Sequence, residues 1–378
     1  MMLIYLFLAY ASFVIHLVSI PLYMILTPFY FLFYKNYQLN RNIFILASLF
    51  IWPILYTFFL NIMSLHNIDV ITETLAYIIH ALSFIIVSSF IYNNYQKYLD
   101  ILEALLIIIF ATVILDILSG AIFSKPLTSF LPLLEDIFSN RRDNIIPLLG
   151  LNLPRIQGLM SEPSYLGILF NIILFVVIIS GRYKHYHLFF LFIVQITTIS
   201  ISAIPFTLIN IFLIFKRLKS FIGFIFLFFL VLFSFVILYL LGDLVVLVNT
   251  AFSKLSGEGA SGIGRIQKIL LLFDLLKESM LLGKGIDYFV FINGTNTGNY
   301  LGVFLIEGGL ISLFLLVIAL SIITRNIYLN YGLLETLIST LFILLSLLTH
   351  SSTFPLLYLL PMIHFLSIDN LSNNQKIA

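Results

Sequence analysis

Asn152-Leu153-Pro154-Arg155-Ile156-Gln157-Gly158-Leu159-Met160-Ser161-Glu162-Pro163-Ser164-Tyr165-Leu166-Gly167 is the stretch on which the reading of this chain turns. It joins a polar loop to an apolar run. Pro163 suits the first position of a helix, where a missing N–H costs nothing. Glu162 then falls at the N-cap, its negative charge beside the positive end of the helix. From Ser164 to Ser180 there is no charged residue, enough chain to cross most of a bilayer. Arg155 precedes Glu162 by one loop, and an arginine beside an open helix N-terminus is an anion site suited to phosphate. The plainer reading makes Glu162-Pro163-Ser164 a cap and Arg155 a snorkelling anchor.

Working outward, the composition agrees with a membrane chain. Of 378 residues, 61% are hydrophobic and only 10% charged, where a soluble domain carries about 25% charged residues. Uncharged apolar runs recur along the whole length. A net charge of +2 gives no reason to expect nucleic acid. The chain has no cysteine, which excludes disulfides, thiolate metal sites and cysteine nucleophiles. The N-terminal run has no basic region ahead of it and reads as a retained segment rather than a signal peptide.

The runs predict about twelve membrane segments in an all-α polytopic domain, 1–378. Residues 2–20 and 22–34 read as two short or broken helices, with a single kinked helix as the alternative. Spans follow at 42–61, 71–92 and 101–119, with Lys97 in the turn before the third. Residues 120–162 form a first large loop, in which Leu127, Phe130, Leu131, Leu134 and Phe138 suggest a helix lying on the membrane surface. The span 163–181 ends in the basic turn Arg182 to His187. The block 188–215 then has basic flanks at both ends and a break at Ser200 to Pro205, so it reads as a short helical hairpin or re-entrant pair. A span at 221–241 leads to a second large loop, 242–298, with an amphipathic helix from Arg265 to Glu278. Spans at 299–323, 333–348 and 354–368 complete the chain. Ten Lys and Arg residues, in short loops and the tail, fall on one side, which the positive-inside rule makes cytoplasmic. The two large loops then face outward and both termini inward.

Several motifs are weak. Gly257 to Gly262 matches G-x-G-x-x-G without the strand and helix a dinucleotide site needs, and reads as a flexible loop. His185 and His187 have no nearby carboxylate to complete a metal site. No Walker A, H-E-x-x-H or D-x-D sequence occurs.

Two patterns carry more. Arg155-x-x-Gly158-x-x-x-Glu162-Pro163-Ser164 resembles a segment of bacterial O-antigen polymerases of the Wzy type. Arg265, the turn Leu282-Gly283-Lys284-Gly285, the entry Asn293 to Asn299, and Glu307-Gly308-Gly309 resemble, in that order, the core shared by O-antigen polymerases and ligases. Together they cover residues 150–310. Ligases usually carry a histidine just before the asparagine at the helix entry; this chain has Asn293, Asn296 and Asn299 there and no histidine.

The resemblance implies a GT-C-like glycosyltransferase of the bacterial inner membrane, its site facing the periplasm. Undecaprenyl-diphosphate-linked oligosaccharides would be both donor and acceptor, with no metal or cofactor. Arg155 and Arg265 would stabilise the diphosphate, and Glu162 is the first candidate for the base. Arg141, Arg142, Ser164, Asn296, Asn299 and His350 are the candidate substrate-binding residues. A membrane protein that regulates chain length is the expected partner, beside the lipid itself. An O-antigen ligase, or a flippase for the same lipid-linked sugars, is the rival reading.

Overall fold

The structure is a computed structural model. It describes residues 1–11, 16–17, 20–33, 42–62, 71–123, 145–148, 151–154, 156, 158–160, 163–198, 200–218, 281–286, 299–349 and 355–368. The chain divides into two compact units. One comprises Met1–Ser12, His16–Ile101 and Ile266–Ala378; the other comprises Phe13–Ile15 and Leu102–Arg265.

In the first unit, α1 (Met2–Tyr10) and α2 (Leu22–Phe33) are joined through a small antiparallel hairpin, β1 (His16–Leu17) with β2 (Ile20–Pro21). The first helix therefore ends at Tyr10, well short of the expected residue 20. Pro21 lies in the hairpin, paired with His16, while Pro28 is taken into the interior of α2. The helices α3 (Ile43–Ile62) and α4 (Ile71–Asn93) follow. Late in the chain come α9 (Tyr300–Tyr331), α10 (Leu333–Thr349) and the short α11 (Pro355–Tyr358) and α12 (Leu360–Ser367). The helix α3 packs against both α4 and α9, while α2 and α12 lie against α4. Phe50 of α3 sits at the centre, its ring meeting Tyr77, His80 and Phe84 of α4 and Phe304 of α9.

Several polar side chains inside this unit find partners, as an apolar environment favours. The Tyr5 hydroxyl donates to Ser83 Oγ at 2.7 Å and lies 2.8 Å from Thr27 Oγ1. Ser367 donates to Ser88 Oγ at 2.8 Å, and Asn326 donates to the Phe365 carbonyl at 3.0 Å.

The second unit is built around α6 (Pro163–Ile179), in which every residue from Leu166 to Ile179 is buried. A helix apolar on all sides must be covered on all sides, and α7 (His185–Thr198) and α8 (Ile204–Leu218) pack on it. Between α7 and α8 the chain makes a single 3₁₀ turn, Ile201–Ala203. A buried polar chain ties the three helices together. Asn171 Nδ2 donates to Thr207 Oγ1 at 3.0 Å, Thr207 donates to Gln195 Oε1 at 2.8 Å, and Gln195 donates to the Ser200 carbonyl at 3.0 Å. Asn210 Nδ2 closes on Asn171 at 2.9 Å. A second hairpin pairs β3 (Ile145–Leu148) with β4 (Leu151–Pro154), in register from Ile145 opposite Pro154 to Leu148 opposite Leu151. The two hairpins add short strands to the expected all-helical architecture.

Helix α5 (Tyr95–Phe123) belongs to the first unit as far as Ile101 and to the second from Leu102. It begins six residues before the expected span, so Lys97 lies in its first turn rather than in a loop. Arg325 likewise lies inside α9, which runs on to Tyr331. In both places the sequence reading stops at a charge. A long cationic side chain reaches water from within a helix, so the helix need not stop.

Among the described residues, three helical segments are long and apolar enough to cross a membrane: Thr74–Asn93, Tyr95–Phe123 and Tyr300–Tyr331. Large apolar side chains stand exposed along them and their neighbours, among them Leu55, Phe58, Leu115, Phe314, Val317 and Leu341. Such surface is expected of a chain whose solvent is lipid. Of the sequence expectations, the span at 221–241 and both surface helices lie outside the described residues.

Candidate functional site

The motif residues fall in two places, one in each unit. In the second unit, the chain just after Arg155 is pinned at two points. The Ile156 amide donates to the Thr197 carbonyl at 3.3 Å, at the end of α7. The Gly158 amide donates to Asp116 Oδ2 at 2.9 Å, and Asp116 is fully buried in the last third of α5. Three residues past the turn at Met160, α6 starts at Pro163, as expected of proline at a first helical position. Ser164 lies in that first turn. Arg155 and Glu162 themselves lie outside the described residues, as do Arg141, Arg142, Arg265, Asn296 and His350.

The second unit gives two pairs of residues that should lie at the same membrane depth. Glu103, in the third turn of α5, pairs with Lys184 of the basic turn after α6. Hydrogen bonding to Glu103 raises the Lys184 pKa above its usual value, with the carboxylate's charge adding to it. At the other end of α5, Asp116 meets Gly158, just ahead of α6. An antiparallel α5 and α6 with Lys184 at one end and the Arg155 loop at the other produces both contacts.

In the first unit, the structure brings together two motifs that are far apart in sequence. Gly309 interrupts α9 with φ 61° and ψ −153°, a backbone region that belongs to glycine. A break in a membrane helix strands the carbonyls before it, and these need donors from elsewhere. The turn Leu282-Gly283-Lys284-Gly285 supplies them. The Lys284 amide donates to the Ile306 carbonyl at 2.7 Å, and the Gly285 amide to the Glu307 carbonyl at 3.1 Å. Trp52 Nε1 of α3 donates to the Gly308 carbonyl at 3.1 Å. The turn is held in place by Thr57, whose hydroxyl accepts from the Ile286 amide at 2.8 Å. Contact is so close that a Cβ on Gly283 would lie 2.4 Å from the Glu307 carbonyl oxygen.

The break also presents a carboxylate. Glu307 is buried, only 5% exposed, and the Tyr77 hydroxyl of α4 donates to its Oε2 in a short hydrogen bond. Half-buried Trp52 stacks on Tyr56 one turn along α3, with ring centroids 6.3 Å apart and planes 15° from parallel. A glutamate at this depth is costly unless it is partnered, and an ionisable residue inside a membrane helix marks function more often than structure.

The sequence reading quotes Glu307 as part of a motif but gives it no role, and Trp52, Tyr56 and Tyr77 do not stand out at all. The available signal was the lone charge within the otherwise apolar stretch 299–323. Asn299 has a structural role: it is the N-cap of α9, its Oδ1 accepting from the Gly302 amide at 2.6 Å.

The fold and site define a helical membrane protein with an interrupted helix and a buried carboxylate at the interruption. Comparison with protein-family models, with curated proteins and with solved structures finds no match.

Proposed function

We propose that the chain is a glycosyltransferase that polymerises undecaprenyl-diphosphate-linked oligosaccharide repeats at the outer face of a bacterial inner membrane. One observation carries the reading. The G-x-G turn and Glu307-Gly308-Gly309, two parts of the O-antigen polymerase and ligase resemblance, interlock through backbone hydrogen bonds.

The reaction joins an acceptor hydroxyl oxygen to the anomeric carbon of the donor glycan. The bond from that carbon to the diphosphate breaks, and the lipid diphosphate leaves with the electron pair. Arg155 and Arg265, with Arg141 and Arg142, are the cations assigned to the developing charge; the arginine fork can hold two phosphate oxygens. Glu162 is assigned the hydroxyl proton. The sugar–diphosphate bond supplies the driving force, so the reaction uses neither ATP nor a nucleotide sugar. The architecture in this reading is GT-C-like, and a chain-length regulator is the expected protein partner.

The rival ligase would carry a histidine at the α9 entry, where this chain has Asn293, Asn296 and Asn299. The flippase reading draws on the buried Glu307, because transporters place charges at membrane depth. Glycan from a deletion strain separates the three. A single repeat on the lipid core supports the polymerase, absence of any repeat the ligase, and accumulation of inward-facing lipid-linked repeat the flippase. Arg155→Ala should abolish polymer while the protein still accumulates, and Arg155→Lys should remain poor. Wild-type chain lengths in Arg155→Ala would return Arg155 to anchoring.

A further inference from the structure

The break in α9 does more than bend a helix. Its carboxylate, Glu307, lies eight residues past the N-cap Asn299, which at the rise of an α-helix is about 12 Å into the helix. Its carboxylate accepts from the Tyr77 hydroxyl, and the indole of Trp52 lies at the neighbouring Gly308 with Tyr56 stacked on it; all three rings are half-buried. The Trp52 indole is fixed by its hydrogen bond to the Gly308 carbonyl, on the residue next to Glu307. A flat aromatic surface fixed beside a carboxylate suits one ligand chemistry. A pyranose presents C–H groups on its face, which pack on an aromatic ring, and hydroxyls on its rim, which donate to a carboxylate. A free phosphate or lipid diphosphate is disfavoured, because Glu307 repels an anion.

We propose that Glu307, Trp52, Tyr56 and Tyr77 form a neutral-sugar subsite that holds the acceptor glycan by its hydroxyls. This rests on the glycosyltransferase reading and goes beyond it, since that reading assigns residues only to the diphosphate and the proton. Tyr77, by donating to one carboxylate oxygen, fixes the orientation in which Glu307 meets the sugar.

The chain has a single tryptophan, so its intrinsic emission reports on this site alone. The test titrates the full-length protein in detergent micelles, which add no tryptophan, with the oligosaccharide released by mild acid from the host strain's lipid-linked repeat. This probe has no diphosphate. The wild type should show a saturable change in Trp52 emission. Glu307→Gln keeps an acceptor for Tyr77 but loses the charge, and should weaken binding at least about tenfold, the scale of a hydrogen bond to a charged group. In polymerisation with intact lipid-linked repeats, the same variant should raise the KM for acceptor about tenfold. An unchanged thermal midpoint confirms that it folds. No emission change on titration, or equal affinity in Glu307→Gln, overturns the subsite. If Glu307→Gln fails to fold, Tyr56→Ala, on the outer ring of the stack, is titrated instead; affinity equal to wild type again overturns it. A wild type that binds the oligosaccharide yet never polymerises lipid-linked repeats overturns the polymerase reading and leaves the subsite standing.

Discussion

Replacing Gly309 with alanine should separate the two halves of the α9 site. The backbone there has φ 61° and ψ −153°, and holding a side chain in that region costs about 1–3 kcal/mol. Sterics add to this: a Cβ would lie 2.4 Å from the Gly283 amide nitrogen and 2.6 Å from the Leu281 carbonyl oxygen. Both contacts are to backbone, so no side-chain rotation relieves them and the Leu281–Gly285 turn must move away. Its movement breaks the bonds from Lys284 to Ile306 and from Gly285 to Glu307, and the 3.4 Å bond from the Ile311 amide to the Leu281 carbonyl. At about 1 kcal/mol each, their loss adds about 3 kcal/mol, for about 4–6 kcal/mol in all. That is a large share of an ordinary folding free energy of about 5–15 kcal/mol. The assay is thermal unfolding in detergent, with Trp52 emission read below the transition. Gly309→Ala should lower the midpoint by many degrees. Its folded fraction should show altered Trp52 emission, because the indole bonds at 3.1 Å to the carbonyl of Gly308, next to the substituted residue. A variant with wild-type midpoint and emission would refute the claim that the glycine turn clamps the break.

Three further outcomes follow from the contacts described. Asp116→Ala removes the acceptor for the Gly158 amide, leaving a buried donor at a cost of about 1–3 kcal/mol, and should shorten polymer without loss of protein; Asp116→Asn, which keeps an oxygen, should do less harm, and equal chain lengths in all three proteins would exclude a positioning role. The Lys184–Glu103 pair has a lysine pKa raised by its partner, so its contribution is fully present below the ordinary lysine pKa and is lost as pH rises through the raised one. Because Lys184 is exposed, the effect should be only about 1 kcal/mol: as pH rises past the ordinary lysine pKa, wild-type stability should fall by that much more than that of Lys184→Met with Glu103→Gln, and parallel curves would refute it. Since the chain has no native cysteine, single cysteines report topology cleanly. Leu281→Cys should label from outside intact cells and Arg182→Cys only after permeabilisation; the reverse pattern would invert the orientation.

Helix identity was legible because lipid imposes it. Runs such as 43–62 and 163–179 have no polar alternative to an internally bonded helix, and those helices are present with ends within a residue or two of expectation. Ends marked by proline were legible in part: Pro163 starts α6, as suits a first helical position, but Pro28 and Pro53 lie inside α2 and α3. Ends marked by charge were not. Lys97 and Arg325 look like loop residues, yet both sit in helices, because a cationic head on a flexible stem reaches water from the first or last turns. The β3–β4 hairpin was not legible either, for its register is made by pairing across Leu148 and Leu151 and leaves no periodic trace in so short a stretch.

The candidate site was half legible, and the division has a physical cause. Glycines at 283, 285, 308 and 309 announce unusual backbone, but no local rule says that one pair covers the other. The link is a requirement of the solvent. A helix interrupted at Gly309 leaves the carbonyls of Ile306, Glu307 and Gly308 without intrahelical donors, and lipid offers none. Donors must come from protein, and a turn that approaches close enough to supply them can carry no side chain at the point of contact. Gly283 meets that condition, with the Glu307 carbonyl 2.4 Å from where its Cβ would be. The G-x-G turn and the Glu-Gly-Gly break are thus two statements of one constraint, each unstable without the other. The same coupling explains why Glu307 sits where it does. The break has already interrupted the helix and drawn polar groups from α3 and the turn. A carboxylate bonded to Tyr77 is less costly there than anywhere along an unbroken span.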